Sequence, residues 1–308
     1  MIHFIAVPAK YLAIDLGASN LRVGIWDGTK IQNKKTASMT GYDEGGLIDF
    51  LKKYATGFEI ESVGIASAGP LDLKRGTVRP INWINKEIRI VEKLEKGLGI
   101  KAYLQNDCVA SVLAERALGA GKGINNLLYI TMSTGIGAGA IVDGHILLGK
   151  DGNAHEIGHT VVNYDDDIKC GCGGISHWEA YCGGANMPKF FKINTGLTVS
   201  SPAEIFNMAR SGNRAAVNFV KLCARISAAG IASAINAYDP ELVTIGGSVF
   251  LNNSDLLLGE IVDYVKLYLI NRMPKIIPTP LGHDAPIIGA GLLAMNMGKI
   301  NAVINQGQ

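Results

Sequence analysis

Two stretches of this chain share one pattern, and the repetition limits its fold more than any other feature. Residues 11–16 (YLAIDL) form an apolar run carrying an acid, Gly17, Ala18, Ser19 and Asn20 turn, and residues 21–26 (LRVGIW) run apolar again before Asp27-Gly28. Residues 127–133 (LLYITMS) lead through Thr134 and Gly135 into a second glycine-rich segment, which reaches Asp143-Gly144. Asp-Gly after an apolar run is a hairpin signal. A glycine turn with exposed N–H groups and a hydroxyl suits a phosphate, and a neighbouring carboxylate suits Mg²⁺ held through water. Asp15, Gly17, Ser19, Asn20, Thr134 and Gly135 are therefore candidates for holding a nucleotide. Either turn alone is weak evidence, because many hairpins contain D-x-G. Gly135, Gly137 and Gly139 spell GxGxG, but no helix follows directly, so the dinucleotide fingerprint does not fit. The two hairpins together predict a duplicated α/β domain holding one nucleotide between its halves.

The intervening segments alternate in the same sense. Helical spacing covers residues 44–54, 91–98, 109–118, 202–211, 215–237 and 254–271, and short apolar runs at 62–68, 101–104, 241–245 and 275–280 read as strands. Asn106-Asp107 ends one such strand and opens an alanine-rich helix. Asp107 reads either as an N-cap or as an active-site acid, since open α/β sheets gather their sites at the carboxyl ends of strands. Gly246-Gly247 turns beneath the strand at 241–245.

Between the second hairpin and the long helices lies HEIGHTVVNYDDDIKCGCGGISHWE, residues 155–179. His159, Cys170, Cys172 and His177 could close a tetrahedral structural zinc site, or the two thiols could be incidental to a glycine-rich loop. His155, Glu156 and His159 also spell H-E-x-x-H, the zinc-peptidase motif, with Glu179 as a third ligand. That chemistry needs both histidines one turn apart on a helix. Gly158 sits between them and Thr160, Val161 and Val162 follow, so the stretch is expected to be a loop entering a strand.

Composition excludes several classes. A chain of 308 residues with 48% hydrophobic and 18% charged residues suits two ordinary domains. Its net charge of +2 gives no reason to expect nucleic acid or an anionic membrane as partner. Five cysteines, an odd number with two in C-x-C, argue against a disulfide scaffold and for a reducing cytoplasm. The apolar start is too short and uncharged for a signal peptide, and no run of eighteen apolar residues suggests a membrane span.

Taken together, these motifs resemble the repressor–open-reading-frame–kinase (ROK) group of sugar kinases, within the actin/hexokinase superfamily. Residues 15–20 (DLGASN) resemble its first phosphate motif, residues 64–78 (GIASAGPLDLKRGTV) its GPLD loop, and Asn106-Asp107 its catalytic pair. Residues 134–139 resemble its second phosphate motif, residues 156–159 (EIGH) its ExGH, residues 170–179 its cysteine motif, and Gly246-Gly247 its adenosine motif. The chain departs at Ala18, where the family has a second glycine, at Ser19, where it has threonine, and at His177, where it has a third zinc cysteine. Histidine also ligates zinc, so the set of four survives the change.

The resemblance implies a two-lobed actin-like (ribonuclease H-like) fold, two mixed-sheet α/β domains with a cleft between them. Residues 1–107 plus 290–308 would form one domain and residues 108–289 the other. It implies phosphoryl transfer from MgATP to the 6-hydroxyl of a hexose. Glucose is the first choice, with mannose, glucosamine and the N-acetylhexosamines as alternatives. Asp107 would be the base, and Gly69, Asn82, Asn106, Glu156, His159 and Glu179 would meet the sugar. Asp15 would hold Mg²⁺, and Gly246 and Gly247 would let adenine approach. It also implies a cytoplasmic homodimer, and it assigns Glu156 and His159 of the H-E-x-x-H match to a sugar-binding loop, leaving His155 incidental. Relatives that repress transcription carry a helix-turn-helix arm before the first strand, and only ten residues precede it here.

Overall fold

The computed structural model describes residues 9–17, 19–39, 42–79 and 87–300, so Ala18 and Asn82 lie outside the described residues. Two compact units emerge. One comprises Met1–Leu118, Leu148–Ala154 and Asp284–Gln308, and the other Gly119–Leu147 and His155–His283. The first contains β1 (Lys10–Leu16), β2 (Asn20–Trp26), β3 (Ile31–Ser38), α1 (Glu44–Ala55), β4 (Ile60–Ser67), β5 (Leu71–Asp72), β6 (Thr77–Val78), α2 (Ile90–Leu98), β7 (Lys101–Asn106) and α3 (Asp107–Leu118). The second contains β8 (Leu127–Met132), β9 (Ile136–Val142), β10 (His145–Ile146), α4 (Trp178–Cys182), α5 (Met187–Thr195), α6 (Pro202–Arg210), α7 (Arg214–Tyr238), β11 (Leu242–Gly246), α8 (Ser248–Leu251), α9 (Ser254–Tyr268) and β12 (Lys275–Pro278). The chain then returns to the first unit as α10 (Ala285–Met295).

Both units carry the same sheet. The first has strand order β3-β2-β1-β4-β7 and the second β10-β9-β8-β11-β12. In each, the opening strand pairs antiparallel with its hairpin partner and parallel with the next strand of the crossover. This is the expected duplication, in the expected mixed-sheet α/β fold. The two hairpin loops occupy equivalent places, residues 17–19 and 133–135. Asp143 and Gly144 take φ of 50° and 75°, the left-handed pair that a type I′ turn requires, and so set the β9–β10 register.

The middle of strand β1, Leu12–Ile14, is apolar because helices cover both of its faces. On one face Leu12, Ile14, Val63 and Ile65 pack with Leu47 and Leu51 of α1 and Leu94 of α2. On the other, the register aligns Gly24, Ala13 and Gly64 in one row of small residues. That row lets α10 come close: a Cβ on Gly64 would lie under 3.0 Å from the Ala290 carbonyl. Gly289, in α10, approaches the Ala110 carbonyl of α3 as tightly. These contacts move the expected domain boundary, because α3 and all of α10 belong to the first unit and the division falls after Leu118.

The second core gathers β8, β9 and β11 with α5, α6, α7 and α9 around Trp178, Phe191, Phe206 and Phe219. Among the described residues, α7 is the one helix long and apolar enough to cross a membrane. Its apolar positions, including Phe219, Val220, Ile231 and Ile235, are buried inside this unit instead.

Candidate active site

Asp15 stands at the carboxyl end of β1 and is only 4% exposed. Its ladder partner is Arg22, whose Nη1 donates to Asp15 Oδ2 at 2.7 Å. Burial nevertheless pushes the Asp15 carboxyl up to about 7; Arg22 opposes the rise, while Asp107 and Asp284 add to it. Gly17 closes the turn by donating its N–H to the Asn20 carbonyl at 3.0 Å, and a Cβ there would sit against the same oxygen. Ser19 and Asn20 are exposed.

Asn106 and Asp107 have separate tasks. Asn106 caps α3, its Oδ1 accepting from the N–H groups of Cys108 at 2.9 Å and Val109 at 3.2 Å. Asp107 is thereby spared the capping role and occupies the first helical position. Burial raises its pKa against the opposing hydrogen bond from Cys108 N–H. Gly69, half-buried, follows β4 and precedes a cis bond to Pro70. Next to it the Ala68 N–H donates to the Leu16 carbonyl at 3.2 Å, which lays the loop beside the end of β1.

In the second unit, Thr134 and Gly135 form the β8–β9 turn. Ser133 N–H donates to the Gly135 carbonyl at 2.9 Å. The segment after α4 holds the turn from outside, Gly184 N–H donating to Ser133 and Ala185 N–H to Thr134. Glu179, on α4, accepts from Ile136 N–H at 2.8 Å through Oε2. Gly246 ends β11 and Gly247 follows it, and their missing Cβ positions face the Tyr129 hydroxyl and the Met132 carbonyl, both under 3.0 Å away. Gly247 also has φ of 86°. Their first role is thus to seat this turn against β8, where Ser133 and Ser248 hydroxyls lie 3.2 Å apart.

The cysteine and histidine residues converge. Cys170 N–H donates to Gly174 and Gly173 N–H to Cys170, a tight turn that presents both thiols. Gly174 leaves room for the His177 ring, which a Cβ would strike. His159 Nδ1 lies 3.3 Å from His177 Nδ1 and 3.9 Å from Cys170 Sγ, and Cys172 Sγ lies 3.3 Å from His177 Nδ1. All four donor atoms fall within 4.8 Å of one another. Zinc–ligand bonds of about 2.0 Å to nitrogen and 2.3 Å to sulfur put tetrahedral donors roughly 3.3–3.8 Å apart, so the cluster fits Zn²⁺. Burial, reinforced by His159, lowers the His177 pKa and so favours the neutral ligating form. Burial raises the Cys170 thiol to about 11, so its thiolate would have to form with the metal.

The H-E-x-x-H residues do not share a helix. Residues Ile157–His159 make a 3₁₀ turn, and a Cβ on Gly158 would collide with the Ile136 carbonyl. His155 is buried with φ of 57°, and its Nε2 lies 3.0 Å from the Leu147 carbonyl, a structural contact. His159 turns Nε2 toward the exposed Glu156, 3.8 Å away. The expected strand over Thr160–Val162 reduces to an isolated bridge between Val161 and His177.

The proposed residues therefore form two sets. Asp15, Gly17, Ser19, Asn20, Gly69, Asn106 and Asp107 belong to the first unit, and Thr134, Gly135, Glu156, His159, Glu179, Gly246, Gly247 and the cysteine cluster to the second. Sequence reasoning missed Arg22 and Asp284 beside Asp15, and the Gly184–Ala185 clasp on the second turn. Only Arg22 left a signal, as a polar residue inside an apolar strand.

The ROK family model matches residues 11–297. The chain is 41% identical to a glucokinase of Pyrobaculum calidifontis over 93% of this chain and 95% of that protein. Among solved structures, a ROK hexokinase from Thermus thermophilus is similar at a TM-score of 0.83 and 30% identity, covering 94% of this chain and 99% of that one. A ROK glucokinase from Streptomyces griseus, in complex with glucose and AMPPNP, is similar at 0.80 and 27% identity, covering 94% of this chain and all (100%) of the other.

Proposed function

The chain belongs to the ROK family, and from that premise we propose that it is an ATP-dependent hexokinase that phosphorylates glucose at the 6-hydroxyl. The observation that carries this reading is the repeated hairpin turn in two sheets of one topology, with Asp15 and Asp107 at the carboxyl ends of strands in the first. The similarity to the Pyrobaculum glucokinase favours glucose over the other hexoses.

In this reading Asp107 accepts the hydroxyl proton as the oxygen attacks the γ-phosphate. A loose transition state asks the base to orient the nucleophile and take its proton late. A raised pKa suits that task, because it brings the carboxylate nearer the operating pH. Gly17, Ser19, Asn20, Thr134 and Gly135 hold phosphates, and Gly246 and Gly247 border adenine. Asn82, Asn106, Glu156, His159 and Glu179 meet sugar hydroxyls, with Gly69 alongside. Asn106 would do so through Nδ2, since its Oδ1 caps α3.

Burial, with Asp107 and Asp284 adding to it, raises Asp15 toward neutral pH, and a divalent cation would relieve that cost to the charged form, so Asp15 fits Mg²⁺. An Mg²⁺ ion held there would supply charge neutralisation for the transferring phosphoryl group. Zn²⁺, held by His159, Cys170, Cys172 and His177, would serve as a structural ion that stiffens the loop carrying Glu156 and Glu179. Family membership also supports a homodimer and a cytoplasmic location.

A coupled ADP-release assay across glucose, mannose, glucosamine, N-acetylglucosamine and N-acetylmannosamine tests the function. Glucose is expected to give the highest kcat/KM. Failure of all five to release ADP would reject it.

A further inference from the structure

Glu179 is tied to the second phosphate turn more closely than a sugar ligand needs to be. Its Oε2 accepts from Ile136 N–H at 2.8 Å, the first amide after Thr134 and Gly135. Gly135 has no Cβ, and one placed there would lie under 3.0 Å from that same oxygen. Gly183 leaves room on the other side, where a Cβ would meet Glu179 Cγ at 2.8 Å. The carboxylate thus lies in a slot between two glycines, with one oxygen fixed to the turn. Its other oxygen, Oε1, lies 3.8 Å from Cys170 Sγ. The same short helix also begins beside His177 and is followed by the Gly184 and Ala185 amides that hold the carbonyls of Ser133 and Thr134.

We infer that Glu179 is a positioning residue for the nucleotide: it locks the Thr134–Gly135 turn in its phosphate-binding shape through Ile136 N–H. This deepens the proposed function and rests on its reading of that turn. One oxygen sets the turn, and the other remains for a sugar hydroxyl. Sugar and nucleotide are therefore coupled through one carboxylate, because a hydroxyl donating to Oε1 holds the group that shapes the turn. A hydrogen bond to an ionised acceptor is about twice as strong as a neutral one, which makes its loss measurable.

The test is binding of Mg·AMPPNP in the absence of sugar, by calorimetry, because a pure sugar ligand has no effect there. Glu179→Ala is expected to weaken the analogue about tenfold or more. Glu179→Asp keeps the charge but shortens the reach, so it should match the alanine variant and serve in its place if alanine disturbs folding. Glu179→Gln retains an oxygen for Ile136 N–H, so it should keep nucleotide affinity within about threefold while losing glucose affinity, since its other end donates instead of accepting. Folding of each variant is checked by its melting temperature. Wild-type nucleotide affinity in folded Glu179→Ala or Glu179→Asp overturns the inference and leaves the kinase reading intact. Failure of the wild type to bind Mg·AMPPNP overturns both.

Discussion

Asp107 has the two properties a general base needs here: a carboxylate at a strand end, held by Cys108 N–H through Oδ1, and a pKa shifted upward by burial. Asp107→Asn keeps the shape and cannot take a proton. Its kcat is expected to fall about 10²–10⁴-fold with glucose affinity little changed. A variant keeping a tenth of wild-type kcat would show that Asp107 is not the base. Asp15 gives a second test, with a definite sign. Its carboxyl titrates near 7 when folded and near 3.9 when unfolded, so the folded state binds the proton more tightly. This group's contribution to stability is full below about pH 4 and is lost as pH rises through about 7. In metal-free buffer, Asp15→Asn should therefore gain melting temperature relative to wild type between pH 5 and pH 8. A difference that stays flat across that range would mean Asp15 is not held near neutral. Both acids were legible because each ends an apolar run. Arg22 was less so, since its pairing depends on a register that places Arg22 opposite Asp15. Gly246 and Gly247 were legible as glycines that something approaches closely, but not as glycines pressed on Tyr129 and Met132.

At the scale of elements, the loop from His159 to His177 carries the clearest consequence. Two neighbouring imidazoles with Nδ1 atoms 3.3 Å apart, beside two thiols, form a donor set that a metal would knit together. Protein purified without chelator is expected to contain about one Zn²⁺ per chain. Its removal should lower the melting temperature and expose Cys172 and Cys170 to a thiol reagent. Lowering the pH should release the metal, because protonated imidazole does not ligate. Zinc well below one per chain, with both thiols reacting freely, would reject the site and leave the transfer chemistry untouched. The sequence already favoured a loop over the peptidase helix; Gly158 pressed against the Ile136 carbonyl shows why no helix forms there. Strand β3 shows the limit of pattern reading. Its sequence IQNKKTAS has no apolar alternation, because it is an exposed edge strand, where lysines discourage further pairing. Its place follows from β2 and the Asp27-Gly28 turn, not from its own composition.

For the whole molecule, the repeated hairpin made the duplication legible, and the family resemblance implied the return of the chain's end to its beginning, but not the contact that secures it. That return depends on the row Gly24, Ala13 and Gly64, which three separate segments align only once their registers are set. The first unit is consequently discontinuous, and one face of its sheet is covered by α10, which follows the whole second unit in sequence. The contact is backbone against glycine on both sides of the helix, Ala290 on Gly64 and Gly289 on Ala110. Overpacking a core typically costs about 1–3 kcal/mol, and a carbonyl fixed in a helix cannot step aside as a side chain can. Gly64→Ala is therefore expected to destabilise the protein by about 3 kcal/mol or more, although it adds a single methyl group. The units have separate cores, so the damage should be local. Hydrogen exchange should show β1 and β4 amides losing protection while β8 and β11 amides keep theirs. Gly289→Ala should give the same pattern from the opposite face of α10. Equal loss in both sheets would mean the two cores unfold as one, and unchanged protection would mean α10 does not hold the first sheet together.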